Sequence, residues 1–193
     1  MMDRRSFLIR SSRLAGSSLF STMTASGVVH AAIPKHNNND FIHHKIIRDF
    51  TQSDWATIAT VQNHFLPSEN DAPGAVEINA LRYLYDFLNN PETDPIDIRF
   101  IHTGVRSLQA MINAEQANLS LMDQSIEQRE TTLRKFEKQA DGSRWLVNIL
   151  NYVLEALLTD PVYGGNPNGI GWQWLEHRAG DPHPPMNKRY WLL

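Results

Sequence analysis

The chain has 193 residues and a formal net charge of -3 at pH 7, and it contains no cysteine. This length suits one globular domain, and the slight acidic excess argues against a nucleic-acid-binding protein, which would carry a basic surface. Without cysteine the chain cannot build disulfides, thiolate metal sites, iron–sulfur clusters or a c-type haem attachment, so any redox cofactor is expected to belong to a partner.

The first 31 residues have the layout of an export signal. Two adjacent arginines stand just before an apolar pair, an arrangement that resembles the twin-arginine targeting pattern. The targeting residues in this interpretation are Arg4, Arg5, Phe7 and Leu8. The uncharged run 14–29 is too weakly apolar for a membrane anchor, and small side chains at Val29 and Ala31 predict cleavage after Ala31.

Export by the twin-arginine translocase has a physical implication, because that route carries proteins that have already folded. It is needed mainly when a cofactor or a partner must be assembled before crossing. No cofactor site is evident in this sequence, so a partner is the expected reason and the periplasm is the expected location. Cleavage would remove four arginines and one aspartate, which changes the net charge from -3 to -6 and leaves no expected membrane span. The alternative is a basic, frayed N-terminus that stays in the cytoplasm.

The mature chain begins with a segment that shows no helical or strand period. Residues 32–50 contain Pro34 and the polar cluster 37–40, which interrupt regular structure. We therefore predict an extended arm here, either disordered or docked on a partner. The same two alternatives apply to the tail at 181–193, where the Pro-rich run 182–185 precedes an aromatic end.

Residues 51–158 carry apolar side chains at three- and four-residue steps, which is the period of an amphipathic helix. The pattern predicts about five helices, at about 51–66, 78–88, 100–118, 125–140 and 143–158. Ser125 and Gln128 form a predicted capping box at the start of the fourth helix. The fifth helix is apolar over the widest arc, so we place it at the centre of a single small all-α bundle.

The most distinctive segment follows the fifth helix, in a region rich in glycine, proline and tryptophan that is predicted to be irregular. It reads Asp-Pro-Val-Tyr-Gly-Gly-Asn at 160–166 and is followed by Gly171 and Trp172. Proline ends the helix, while glycine and asparagine tolerate left-handed backbone angles, so a compact kinked loop is predicted. Aromatic residues on such loops are frequent interface hot spots, and burial in the chain's own fold is the alternative. The candidate interface residues are Pro161, Tyr163, Gly164, Gly165, Asn166, Gly171 and Trp172.

Together with three shorter segments, this loop resembles the gluconate 2-dehydrogenase subunit 3 family. The matching positions are Phe65-Leu66-Pro67, Pro73-Gly74-Ala75-Val76, Tyr83-Leu84, 160–166 and Gly171-Trp172. The resemblance covers residues 51–180 and implies one helical domain there. The chain departs from the family pattern at 173–180, where a Gly-rich run is expected, and this leaves the substrate and the identity of the large subunit open.

The resemblance implies a non-catalytic small, or gamma, subunit of a periplasmic, membrane-associated dehydrogenase that oxidises gluconate, other sugar acids or sugars. In such complexes a large subunit of the glucose-methanol-choline type holds FAD and carries out the chemistry. A membrane-bound cytochrome c subunit with haem c passes the electrons to quinone. The large subunit, lacking its own leader, would fold around FAD in the cytoplasm and cross bound to this chain, which would act as export escort and maturation partner.

Histidines and glycines raise the alternatives of a metal site and a phosphate cradle. The histidines are His30, His36, His43, His44, His64, His102, His177 and His183. Their spacing places no pair of ligands on one helix face, and nothing in the sequence pairs carboxylates for acid–base chemistry. Gly164 and Gly165 follow no predicted strand and lack phosphate-loop spacing. No catalytic, cofactor-binding or metal-binding residue is therefore predicted, and the rival functions are a free-standing periplasmic metal-dependent enzyme and a solitary helical binding module.

Overall fold

The computed structural model describes residues 49–180 and residue 185. These residues form six α-helices, namely α1 (Gln52–Phe65), α2 (Ala80–Leu88), α3 (Pro95–Glu115), α4 (Ile126–Glu137), α5 (Gly142–Leu158) and α6 (Ile170–Leu175). Short 3-10 turns lie at Leu121–Asp123, Pro161–Tyr163 and Pro167–Gly169. No strand occurs within 49–180, which confirms the all-α prediction, and no helix there is long and apolar enough to cross a bilayer. The predicted signal, the arm up to residue 48 and the tail apart from residue 185 lie outside the described residues.

Reciprocal side-chain caps determine where two of the helices begin. At the start of α1 the Thr51 hydroxyl accepts a hydrogen bond from Asp54 N, and the Asp54 carboxylate accepts one from Thr51 N at 2.7 Å. Ser125 and Gln128 make the same exchange at the start of α4, which confirms the predicted capping box. Each exchange satisfies backbone N–H groups that have no partner inside the helix.

The third helix starts earlier than the apolar period indicates. It begins at Pro95, whereas the sequence predicted a start near Phe100. Asp94 accepts a hydrogen bond from Ile96 N at 2.8 Å, and Pro95 occupies the first turn, where its missing N–H leaves no bond unmade. The cap therefore sets the start of α3, and the first turn carries an exposed side chain at Ile96.

Helix α5 is central, as its wide apolar arc predicts. It packs against α1, α2, α3, α4 and α6. Its inward side chains Trp145, Ile149 and Val153 are at most 1% exposed. Burial of each such side chain contributes about 1.5–3 kcal/mol, so this face supplies much of the free energy that holds the bundle together.

The region beyond Thr159 is more regular than predicted. Two 3-10 turns lead into the six-residue helix α6, which packs on α5. The residues that flank this helix, Gly169 and Glu176, both have left-handed backbone angles. A helix this short cannot display an apolar period and is marginal on its own, so it forms because Gly171 and Leu175 are buried against the bundle. This helix is the element missing from the sequence prediction.

A buried ion pair fixes the start of α1 to α3. The Asp54 side chain is fully buried, and its Oδ2 lies 2.9 Å from Arg106 Nη2. The Thr51 hydroxyl donates to the same oxygen at 2.8 Å. Arg106 also donates to the carbonyl of Asp49 at 3.4 Å, so one guanidinium holds both the cap of α1 and the chain just before it.

Phe50 belongs to the core, although the sequence assigned it to the extended arm. The side chain is 8% exposed and its ring stacks on Trp55 at 4.8 Å between centroids. The ring of His102 lies on Phe50 at 4.7 Å, and Trp55 in turn contacts Tyr85 at 5.6 Å. Ring contacts of this kind stabilise a fold beyond the burial of apolar area alone, so the folded domain includes residue 50.

Gly104 allows α3 to approach α5. The Trp145 indole donates a hydrogen bond to the carbonyl of Ile101 at 3.0 Å and lies directly over Gly104. A Cβ at position 104 would overlap the indole ring. The sequence indicates only that Gly104 lowers the helix propensity of α3. The structure shows that its missing side chain leaves room for the Trp145 ring.

We expect Gly104→Ala to lower the free energy of unfolding by about 3 kcal/mol, because the added methyl group displaces the buried indole. Helix propensity alone would instead raise the free energy of unfolding by about 1 kcal/mol. The measurement is urea unfolding followed by circular dichroism. Thr103→Ala, at the exposed neighbouring position, is the control and should change stability by less than about 0.5 kcal/mol. If Gly104→Ala raised the free energy of unfolding, the expected clash with the Trp145 ring would be wrong.

Candidate functional site

The segment 160–172 turns the chain sharply at the end of α5. Asp160 Oδ1 accepts a hydrogen bond from Val162 N at 3.1 Å, and Pro161 begins the 3-10 turn that follows. The turn ends at Gly164, whose φ of 95° is costly for any residue with a side chain. This is the compact kinked loop that the sequence predicts, and it brings all seven candidate interface residues into one region.

Asn166 lies at the centre of this loop and is fully buried. Its backbone N–H donates to the carbonyl of Ile78 at 2.9 Å. Its side-chain amide donates to the carbonyl of Thr159 at 2.9 Å and accepts from Gly171 N at 2.7 Å. One residue in a left-handed conformation thus satisfies backbone groups of the segment before α2, the end of α5 and the start of α6.

Two glycines of this region, Gly165 and Gly171, allow it to lie close to the backbone of α5. A Cβ at Gly165 would lie 2.7 Å from the carbonyl oxygen of Ala156, and a Cβ at Gly171 would overlap the carbonyl oxygen of Leu157. Both contacts are with the backbone of α5, which cannot move aside. These glycines are therefore required for the loop and α6 to pack on α5.

The seven predicted interface residues divide into two groups by burial. Gly165, Asn166 and Gly171 are buried by contacts within the chain. The other four, Pro161, Tyr163, Gly164 and Trp172, are half-buried. Trp172 is held by a hydrogen bond from its indole N–H to the carbonyl of Leu158 at 2.7 Å. The first group has a role inside the fold, and contact of the second group with a partner stays a prediction.

The loop also supports an ion pair on α2 that the sequence reading missed. A Cβ at Gly164 would lie 2.8 Å from Asp86 Oδ2, so the loop packs directly behind that carboxylate. Asp86 is 7% exposed and its Oδ1 accepts from Arg82 Nε at 2.9 Å. The spacing of four residues on one helix was the available signal for this pair.

Beside this ion pair, an open groove of about 480 Å³ runs between α1 and α2. Its lining is formed by Trp55, Ala59, Gln62, Ala75, Val76, Asn79, Leu81, Arg82 and Tyr85. Only Arg82 among them carries a charge. At its edge, Val76 is 69% exposed and Tyr85 is 43% exposed. This groove, rather than the loop, presents the apolar and aromatic surface of the site.

The Gly164–Gly165 turn does not fit a phosphate group. Its first glycine faces the Asp86 carboxylate, which repels an anion, and its second is packed against the carbonyl of Ala156. A dinucleotide or nucleotide cradle would instead present backbone N–H groups to the ligand. This glycine turn is therefore unsuited to hold a pyrophosphate.

The histidines within 49–180 are dispersed. His64 lies 2.8 Å from Glu130 Oε2, His102 packs on Phe50, and His177 is exposed near Trp172. No group of three or more His, Asp or Glu side chains able to hold a metal occurs in this part of the chain. The other five histidines lie outside the described residues.

The His64–Glu130 contact joins α1 to α4. Glu130 also pairs with Arg134 on its own helix, at 2.6 Å. The hydrogen bond from His64, helped by the charge of Arg134, holds the pKa of Glu130 below its ordinary value of 4.5. Because the carboxylate is favoured in the folded state, this contact contributes stability above the ordinary pKa and loses it as the pH falls through the folded-state pKa.

Glu130→Gln should therefore reduce stability at neutral pH, by up to about 1 kcal/mol for a pair that is partly exposed. The difference from the wild type should shrink as the pH falls through the folded-state pKa of Glu130 and vanish once the carboxyl group is protonated in both states. Urea unfolding at neutral and acidic pH measures it, with Glu137→Gln on the same helix as the control. A difference that persists in acid would mean that the loss has another cause.

We expect Asn166→Ala to cost about 3 kcal/mol of unfolding free energy, because it leaves a buried N–H and a carbonyl unpaired. Asn168→Ala is the matched control, since Asn168 has the same left-handed backbone but an exposed side chain. It should cost only about 1 kcal/mol, the preference of asparagine for that conformation. Thermal unfolding of the two variants measures the difference, and equal losses would refute the role of the Asn166 amide.

A family model described as gluconate 2-dehydrogenase subunit 3 matches residues 52–180, which is about two thirds of the chain. The match begins at the first residue of α1 and ends just beyond α6, so it covers the whole helical body. No curated protein and no solved structure matches the chain.

Proposed function

The chain belongs to the gluconate 2-dehydrogenase subunit 3 family, and from that premise we propose that it is the non-catalytic small subunit of a periplasmic, membrane-associated dehydrogenase for sugars or sugar acids. Family membership makes it a subunit of a multi-subunit dehydrogenase complex. In the proposal it escorts the FAD-containing large subunit, of the glucose-methanol-choline type, through the twin-arginine translocase. A cytochrome c subunit with haem c then receives the electrons.

The observation that carries the proposal is the match over the entire helical body together with the twin-arginine start of the same chain. The sequence offers no thiolate for a cluster or a covalent haem, since it contains no cysteine. The glycine turn, which is the one segment with a superficial likeness to a phosphate loop, is packed against Asp86 and the end of α5. These features support a subunit that acts by binding a cofactor-carrying partner.

The distribution of polar contacts supports the same role. The distinctive residues of loop 160–172 satisfy the chain's own backbone, at Ile78, Thr159 and Gly171. The groove between α1 and α2 presents aromatic and aliphatic side chains with a single charge, which is the chemistry of a protein-binding surface.

The targeting residues lie outside the described residues, so the escort role is tested genetically. We expect the double variant Arg4→Lys and Arg5→Lys to leave the large subunit in the cytoplasmic fraction, because the translocase no longer receives the complex. The measurement is dehydrogenase activity and flavin content in periplasmic and cytoplasmic fractions.

Arg10→Lys together with Arg13→Lys is the matched control, because it makes the same chemical change farther along the same segment. This control should export the large subunit normally. Normal periplasmic activity in the Arg4→Lys and Arg5→Lys variant would contradict the escort role, and turnover by the purified chain alone would contradict the non-catalytic assignment.

A further inference from the structure

We propose that the groove between α1 and α2 is the surface on which the large subunit docks, and that the large subunit places an apolar side chain against Trp55, Val76 and Tyr85 and a carboxylate against Arg82. This inference rests on the proposed function, since it names the contact surface for the partner in that complex. It assigns loop 160–172 a supporting role behind the groove.

The apolar half of the proposed contact follows from the lining of the groove. Trp55 and Tyr85 lie 5.6 Å apart between ring centroids, and Val76 stands 69% exposed beside them. Singly exposed apolar side chains need no explanation, but these three line one groove of about 480 Å³. A recess of this size accepts one or two apolar side chains from a partner, and tryptophan and tyrosine are enriched where such anchors bind.

The charged half of the contact follows from Arg82. It is the one charged side chain in the lining of the groove. Its Nε is bonded to Asp86, yet its side chain remains 64% exposed. The guanidinium can therefore donate to a second carboxylate from outside, and a bidentate pair of this kind fixes orientation as well as adding affinity. Complementary charge thus points to an acidic residue beside the apolar one on the partner.

Loop 160–172 holds both walls of this contact in place. The Asn166 N–H binds the carbonyl of Ile78 at 2.9 Å, which anchors the segment that carries Ala75 and Val76. The backbone of Gly164 packs behind the Asp86 carboxylate that orients Arg82. The distinctive loop therefore serves docking indirectly, because it sets the position of the groove without forming its surface.

A second open cleft, of about 360 Å³ between α4 and α5, is less suited to the same partner. It is lined by the cluster of His64, Glu130 and Arg134, whose charges already pair with one another. A partner docked there would desolvate Glu130, Arg134 and Glu137 together, whereas the lining of the first groove carries the single charge of Arg82. The comparison favours the groove between α1 and α2.

The test is co-expression of the tagged full chain with the flavoprotein subunit of its complex, followed by measurement of flavin absorbance in the purified material. Val76→Asp and Arg82→Gln should each reduce the co-purified flavoprotein by about tenfold or more, which is the loss expected for a contact near the centre of an interface. Ile126→Asp and Ile96→Asp are matched controls, because they place the same charge at exposed aliphatic positions on α4 and α3. Both controls should retain the flavoprotein at the wild-type level.

Three results would overturn the inference, and each is distinguishable from failure of the proposed function. If the wild type binds the flavoprotein and Val76→Asp binds it equally well, the docking surface is wrong while the complex stands. If Val76→Asp lowers the melting temperature of the isolated chain by several degrees, the side chain stabilises the chain's own fold and the docking assignment falls. If it converts a dimer to a monomer by light scattering, the occupant is a second copy. A wild-type chain that captures no flavoprotein would refute the proposed function itself.

Discussion

The buried amide of Asn166 is the constraint on which the C-terminal half of the structure depends. The amide donates to the carbonyl of Thr159 and accepts from Gly171 N, and the backbone N–H of the same residue donates to the carbonyl of Ile78 in the segment before α2. Loss of the partner of one buried donor or acceptor costs about 1–3 kcal/mol, which is a large part of the stability of a small domain. Gly165 and Gly171 lie against the backbone of α5 on either side of this residue.

The chain stabilises short elements through tertiary contacts. Helix α6 has six residues and the 3-10 turns have three each, lengths at which helices do not persist in water. They are ordered because α5 offers a continuous surface of backbone carbonyls and apolar side chains. A long apolar helix therefore serves as the template for an irregular segment, and the irregular segment in turn sets the wall of the groove beside α2.

The sequence predicts the long elements well because their signals are local. Apolar steps of three and four residues and the capping residues at Ser125 and Gln128 lie within one turn of the structure they specify. The start of α3 was placed late because the apolar period begins after the cap at Asp94. The contact between Gly104 and Trp145 and the bond from Asn166 to Ile78 join distant residues, so no local pattern reveals them. Loop 160–172 was predicted as a surface because composition indicates a kinked backbone but does not indicate which side chains point inward.

The junction of Phe50, Asp54 and Arg106 has a mechanical consequence. A pulling force applied upstream of residue 49 reaches the bundle at a point where the Phe50–His102 ring contact and the Asp54–Arg106 ion pair both reach α3. Such a load must break several contacts at the same time, whereas a frayed helix end would lose its hydrogen bonds one after another. A load on this side therefore meets several tertiary contacts before the first helix can unwind.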